Sequence, residues 1–306
     1  MDSIDRRDRS RAPHHAAQPS APTDLTIEGM HSVGVGGGSA APPARGCSED
    51  GRCGAAALRL DKRKYLDREQ GRWRIVLRDY GDGLCEVGWS FVAAIVLGKA
   101  GRGQSEQREL HEDRASRRAR SRLRQLILAT NADHLLTLTY RANITDFRAA
   151  SADLGRFIRR VRTYLPGWVY IAVPERQKRG AWHWHLAVFG RQDVDLLRSC
   201  WRDVVGEGNI DVQQPKRGAA NRRLAIVKYL GKYLAKGFAE GDRELNGHRF
   251  RASLGIKVPG QLIEVPPEQR HDVSEYVIDQ LRSHAGSVGY VWIDQQGLAG
   301  WARSWS

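Results

Sequence analysis

The stretch from His134 to Phe238 constrains the fold more than any other, because its apolar residues switch between a period of two and a period near 3.6 in a fixed order. HLLTLTYR (His134 to Arg141) reads as a strand, and Thr145 to Leu165 as an amphipathic helix with Leu154, Phe157, Ile158 and Val161 on one face. WVYIAVP (Trp168 to Pro174) and WHWHLAVF (Trp182 to Phe189) are two strands joined by the turn-like RQKRG. Asp193 to Val205 follows as a helix, Asn209 to Gln213 as a short strand and Asn221 to Phe238 as a helix. The order βαββαβ with a trailing helix predicts an α+β chain with a ferredoxin-like core, in which helices flank an antiparallel sheet. RNA-recognition modules share that architecture, so function has to be argued from the residues it carries.

His183 and His185 flank Trp184 on a strand, so both imidazoles point to one face while Trp182 and Trp184 point to the other. Two imidazoles on one face can share a metal ion, although a half-buried polar strand would look the same. Glu175 ends the preceding strand and lies opposite the histidines if the two strands pair through RQKRG. Two histidines and a carboxylate with open positions suit Mn²⁺, Mg²⁺ or Zn²⁺, and the ligand types do not choose among them. The alternative for Glu175 is a turn carboxylate paired with Arg176 or Arg179.

KYLGKYLAKG (Lys228 to Gly237) sets Tyr229 and Tyr233 four apart on one helical face, each followed three residues later by a lysine, Lys232 and Lys236. Aromatic pairs at this spacing most often serve as buried surface, with Ile226, Leu230 and Leu234 as the core. The chemical alternative is covalent DNA cleavage. A phenol with a pKa near 10 is a weak nucleophile at neutral pH and needs help to attack a phosphodiester. A metal on the phosphate oxygens and an ammonium near the developing charge would supply it.

With these residues in hand, 130–240 resembles the endonuclease domain of rolling-circle replication initiators, members of the HUH endonuclease superfamily found in small phages, plasmids and single-stranded DNA viruses. LLTLTY (Leu135 to Tyr140) resembles the family's first motif, WHWHLAVF carries its paired histidines, and YLGKYLAK resembles the nucleophile motif of its two-tyrosine members. The resemblance implies Tyr229, Tyr233, Lys232 and Lys236 as catalytic residues and His183 and His185 as metal ligands. Glu175, eight residues before His183, fits the carboxylate that often completes the site in these relatives. The implied cofactor is a divalent metal, Mg²⁺ or Mn²⁺, and the implied reaction is nicking and rejoining of single-stranded or hairpin origin DNA through a 5′-phosphotyrosine link. No phosphate-binding G-x-x-x-x-G-K-[ST] loop occurs in the sequence, so unwinding and synthesis fall to a host helicase and polymerase.

Two rivals remain. A transposase or relaxase would use the same chemistry, but conjugative relaxases place the tyrosine before the histidines and single-tyrosine transposases are compact. A non-catalytic RNA-recognition-like module would need base-stacking aromatics on exposed strands, for which Tyr170, Trp182 and Trp184 are the candidates.

Charge supports a polyanionic partner. The formal net charge is +14, and residues 101–240 hold 27 basic against 14 acidic side chains while the flanks are nearly neutral. Ser105 to Thr130 reads as a helix, and Arg114 to Arg124 within it contains six arginines and no acid. Either this is a solvated face or it tracks phosphates, with Arg114, Arg117, Arg118, Arg120 and Arg124 joined by Arg176, Lys178 and Arg179 of the strand turn.

The rest of the chain is less informative. Residues 1–60, with GVGGGSAAPPARG, are expected to be disordered, and 61–100 to form a small β-rich segment with strands at Trp73 to Arg78 and Trp89 to Leu97. The nuclease domain is set at 101–285, including a strand at His248 to Ile256 and a helix at Pro266 to His284; 286–306 is left unassigned. The longest apolar run, Trp89 to Gly98, is ten residues, about half of the ~20 a membrane helix needs. Together with a charged N-terminus lacking an apolar core and four scattered cysteines, this sets the expectation of a bacterial cytoplasmic protein with no membrane role.

Overall fold

The structure, a computed structural model, describes residues 71–92, 108–216, 218–239 and 249–305. All of them fall within the compact unit Leu58–Ser306. The expected disorder of 1–60 and the part of the second strand beyond 92 lie outside the described residues.

The architecture is α+β, with two antiparallel five-stranded sheets flanked by helices. The first strands are β1 (Arg72–Asp79) and β2 (Cys85–Val92), followed by helix α1 (Arg108–Ala129). Next come β3 (His134–Tyr140), α2 (Phe147–Tyr164), β4 (Tyr170–Arg176), β5 (Trp182–Val188), α3 (Val194–Val205), β6 (Gly208–Gln213) and α4 (Ala219–Ala239). The chain ends with β7 (Arg251–Ala252), β8 (Gln261–Ile263), α5 (Val273–Ala285), β9 (Tyr290–Ile293) and β10 (Ala299–Arg303).

The central sheet runs β6-β3-β5-β4-β7. Its first four strands follow the ferredoxin-like order predicted by the βαββαβ pattern, and every pairing is antiparallel. Period-two alternation then sorts each strand between two cores. Trp182, Trp184, Leu186 and Val188 join Leu154, Phe157, Ile158 and Val161 of α2 and Leu197 and Trp201 of α3. On the opposite face Leu135, Ile171, Val173 and Ala187 meet Leu123, Leu126 and Ile127 of α1 and Ile226, Leu230 and Leu234 of α4. The sheet is therefore sandwiched, and the histidines lie on the α1/α4 side. Helix starts are set by side chains that accept orphan backbone N–H groups, Asp146 from Arg148 and Asp193 from Leu196.

The second sheet, β8-β1-β2-β10-β9, draws strands from both ends of the described chain. Ala299 pairs with Ser90 and Trp301 with Gly88, so part of the stretch left unassigned by sequence builds this sheet together with 72–92. Val273, Val277 and Leu281 of α5 pack on Ile75, Leu77, Val87 and Trp89. Of the strand expected at His248 to Ile256, His248 lies outside the described residues and Arg251–Ala252 is strand, and the helix expected from Pro266 starts at Val273 after one 3-10 turn, Pro267–Gln269. Asp272 caps that helix through the Glu275 N–H, which fixes the later start.

Arg223 of α4 binds the two sheets' supports together. Its guanidinium, buried at 2 % exposure, donates to the carbonyls of Tyr80 and Gly81, to Asn131 Oδ1 and to Asp82 Oδ2. The turn it grips needs left-handed backbone, with φ of 75° at Gly81, 54° at Asp82 and 72° at Gly83. No helix among the described residues is long and apolar enough to cross a membrane.

Candidate nuclease site

The hairpin formed by β4 and β5 sets the site. Glu175 is the direct cross-strand partner of His183, and Val173 that of His185. Because residues two apart share a face, all three polar side chains emerge on the side covered by α4. His185 is buried and its ring is held at both nitrogens: Nε2 lies 2.8 Å from Glu175 Oε2 and Nδ1 lies 3.2 Å from Thr137 Oγ1. Thr137 is the β3 residue registered opposite His185. It sits in the LTLTY stretch, where the alternation alone does not single it out.

His183 Nε2 is buried and makes no hydrogen bond. Burial, and then the charges of His185 and Arg179, outweigh Glu175 and bring its pKa down to about 4, so this imidazole is neutral at physiological pH. Burial alone would raise the Glu175 carboxyl. The hydrogen bond and charge of His185, followed by those of Lys236, reverse this and hold it below the usual carboxylate range.

Helix α4 brings the tyrosines and one lysine to the same place. The Tyr233 ring stacks on His185 with centroids 4.2 Å apart, and Tyr229 meets the same imidazole edge-on at 5.6 Å. Tyr233 Oη donates to Tyr229 Oη across 3.3 Å. Burial, then the hydrogen bond to Tyr229 and the Glu175 charge, push the Tyr233 phenol well above its ordinary value, so it stays protonated at neutral pH. Lys236 Nζ lies 3.3 Å from Glu175 Oε1 and donates to the Arg176 carbonyl at 3.0 Å. Lys232 is exposed, on the outer side of the helix.

The structure thus gathers Glu175, His183, His185, Tyr229, Tyr233 and Lys236 in one locality. Two imidazoles and a carboxylate, with one buried imidazole nitrogen left unbonded, suit a divalent cation. Their donor atoms are more open than the tightest set among the described residues, Asp79, Cys85 and His284, which lie within 4.8 Å of one another. Glu175 and His185 instead bond directly to each other.

The arginine stripe divides into two kinds of residue. Arg114, Arg118 and Arg120 are exposed, and Arg117 is paired with Asp113 at 2.6 Å. Arg124 is half-buried, 2.9 Å from the buried Glu86 carboxylate and 4.1 Å above the Trp301 ring, so its guanidinium is held inside the protein. In the strand turn Arg176 is half-buried, Lys178 is exposed, and Arg179 donates to the Tyr140 carbonyl. The base-stacking candidates Tyr170, Trp182 and Trp184 are all buried beneath α2 and α3.

No curated protein and no solved structure matches the chain. Residues 133–238, which run from β3 to α4 and include every residue gathered above, match the family model described as Replication-associated protein ORF2, a finding that supports a replication initiator protein.

Proposed function

We propose that the chain initiates rolling-circle replication by nicking single-stranded origin DNA through tyrosine transesterification and later rejoining the ends. The observation that carries this reading is the stacking of Tyr233 on His185, which puts a phenol beside the imidazoles and carboxylate suited to a cation. His183, His185 and Glu175 would hold Mg²⁺ or Mn²⁺, which when bound polarises the scissile phosphate and orients it. Thr137 holds the His185 ring at Nδ1, and Nε2, bonded to Glu175 in the resting site, is the nitrogen that would turn to the cation together with that carboxylate.

The reaction is an exchange of phosphoesters. A tyrosine oxygen bonds to phosphorus in line with the departing 3′-oxygen, the phenol gives up its proton, and the 3′-oxygen takes one to become a free hydroxyl. Burial keeps Tyr233 protonated until the ester forms, and its proton, which hydrogen-bonds to Tyr229 Oη in the resting site, then passes to solvent. Lys236, anchored on Glu175 and the Arg176 carbonyl, sets a positive charge beside the site where phosphate charge develops. The second tyrosine, or the new 3′-hydroxyl, repeats or reverses the exchange. The phosphotyrosine link conserves the ester bond, so rejoining needs no nucleotide.

A transposase or relaxase would share this chemistry, and the Replication-associated match favours the initiator. A stacking platform of the RNA-recognition type is disfavoured because Tyr170, Trp182 and Trp184 are buried. Partners under this proposal are origin DNA and a host helicase and polymerase, in the cytoplasm of a bacterial host. The test is to incubate purified protein with single-stranded fragments of its encoding replicon and Mn²⁺. Cleavage at one site, abolished by EDTA, is expected; no cleavage of any fragment would overturn the proposal.

A further inference from the structure

Away from the nuclease site, β1, β2 and α5 converge on a second group of metal-type donors. Asp79 and Cys85 are directly opposed residues at the closed end of the β1–β2 hairpin, so the backbone register itself sets their side chains on one face. His284 comes from the last turn of α5, which packs on that face. One donor atom from each of the three lies within 4.8 Å of the other two.

The neighbours hold this arrangement in place. Asp79 Oδ1 accepts the Gly81 N–H at 2.8 Å, which leaves Oδ2 facing His284 Nε2 at 3.2 Å. Cys85 is 3 % exposed and pinned through its backbone, its N–H donating to Ser304 Oγ and its carbonyl accepting the Ser304 N–H. The sulfur is therefore fixed from below while Asp79 and His284 face solvent, which gives an ion a route in and an open position for water.

We propose that Asp79, Cys85 and His284 form a zinc site that ties the β1–β2 hairpin to α5. The donor set argues for the metal, because a thiolate with an imidazole selects Zn²⁺ over Mg²⁺ or Ca²⁺, and three protein ligands plus water complete a tetrahedron. On binding, the Cys85 sulfur exchanges its proton for the cation and the proton passes to solvent. This site is chemically distinct from the His183/His185/Glu175 group, which has no sulfur.

Cobalt titration of the full-length, chelator-stripped protein tests the site, since Co²⁺ takes zinc geometry and reports a thiolate ligand by a sulfur-to-metal charge-transfer band. One saturable equivalent with that band is expected, retained in His183→Ala/His185→Ala and lost in Cys85→Ser. On the His183→Ala/His185→Ala background Zn²⁺ should raise the thermal midpoint, and should not once His284→Gln is added, an exposed change that leaves the core intact should Cys85→Ser fail to fold. Absence of the band, its persistence in Cys85→Ser, or an equal Zn²⁺ response once His284→Gln is added would overturn the site.

Discussion

The phenol ring of Tyr233 lies nearly parallel to the imidazole of His185, with 14° between their planes. One residue is on a helix and the other on the strand beneath it, so the same contact that buries the helix also registers the proposed nucleophile against a proposed metal ligand. Packing and chemistry are coupled here, and variants at the periphery of the contact separate them.

Thr137 holds His185 through Nδ1. Removing its hydroxyl as Thr137→Val frees the Nδ1 side of the ring and should weaken Mn²⁺ binding by roughly 10–100-fold, the usual loss when a ligand's hydrogen-bond partner is removed. Isothermal titration of the two proteins with Mn²⁺ measures this, and equal affinities would show that the Thr137 hydroxyl does not orient the ring.

Lys236 is half-buried and paired with Glu175. In Lys236→Met the rate of DNA cleavage should fall by on the order of 10²-fold, as when one charge-stabilising donor is lost. Stability should change by no more than about 1 kcal/mol, the range for a partly solvated ion pair. Single-turnover cleavage and urea unfolding read the two effects separately; a matched loss in both would make the lysine structural.

Arg223 is expected to behave in the opposite way. Arg223→Leu orphans the buried Tyr80 carbonyl, while the Gly81 carbonyl keeps the Leu84 N–H, costing about 1–3 kcal/mol for the one stranded buried acceptor. Arg223→Lys should not restore the loss, because an ammonium cannot reproduce the forked geometry. Chemical denaturation of the three proteins decides it.

The arginine stripe should split along the line the structure draws. Reversing Arg114, Arg118 and Arg120 to Glu should shallow the salt dependence of single-strand binding, each phosphate contact being worth about 0.7 in the log–log slope, with little effect on stability. Arg124→Ala should instead destabilise by about 1–3 kcal/mol, because Glu86 is buried and loses a charged donor. Fluorescence anisotropy across a salt series and thermal unfolding distinguish the two classes.

The central βαββαβ sheet was legible because each strand and helix there is long enough to show its period, and the inward residues of α2 are the ones its sequence pattern names. The pairing of Glu175 with His183 followed from a short turn between two strong strands. The second sheet was not legible, since its central pairing joins Ser90 to Ala299 across most of the described chain, and strand period carries no record of a distant partner. Arg124 shows the same limit from another side. In the sequence it is one of six arginines, and only the fold reveals that a buried carboxylate and the Trp301 ring hold it.

The most direct test of the account is the covalent adduct between protein and labelled origin DNA, resolved on a denaturing gel in the presence of Mn²⁺. Wild-type protein should form the adduct, and neither Tyr229→Phe/Tyr233→Phe nor wild type in EDTA should. An adduct that survives the double substitution would contradict the proposal.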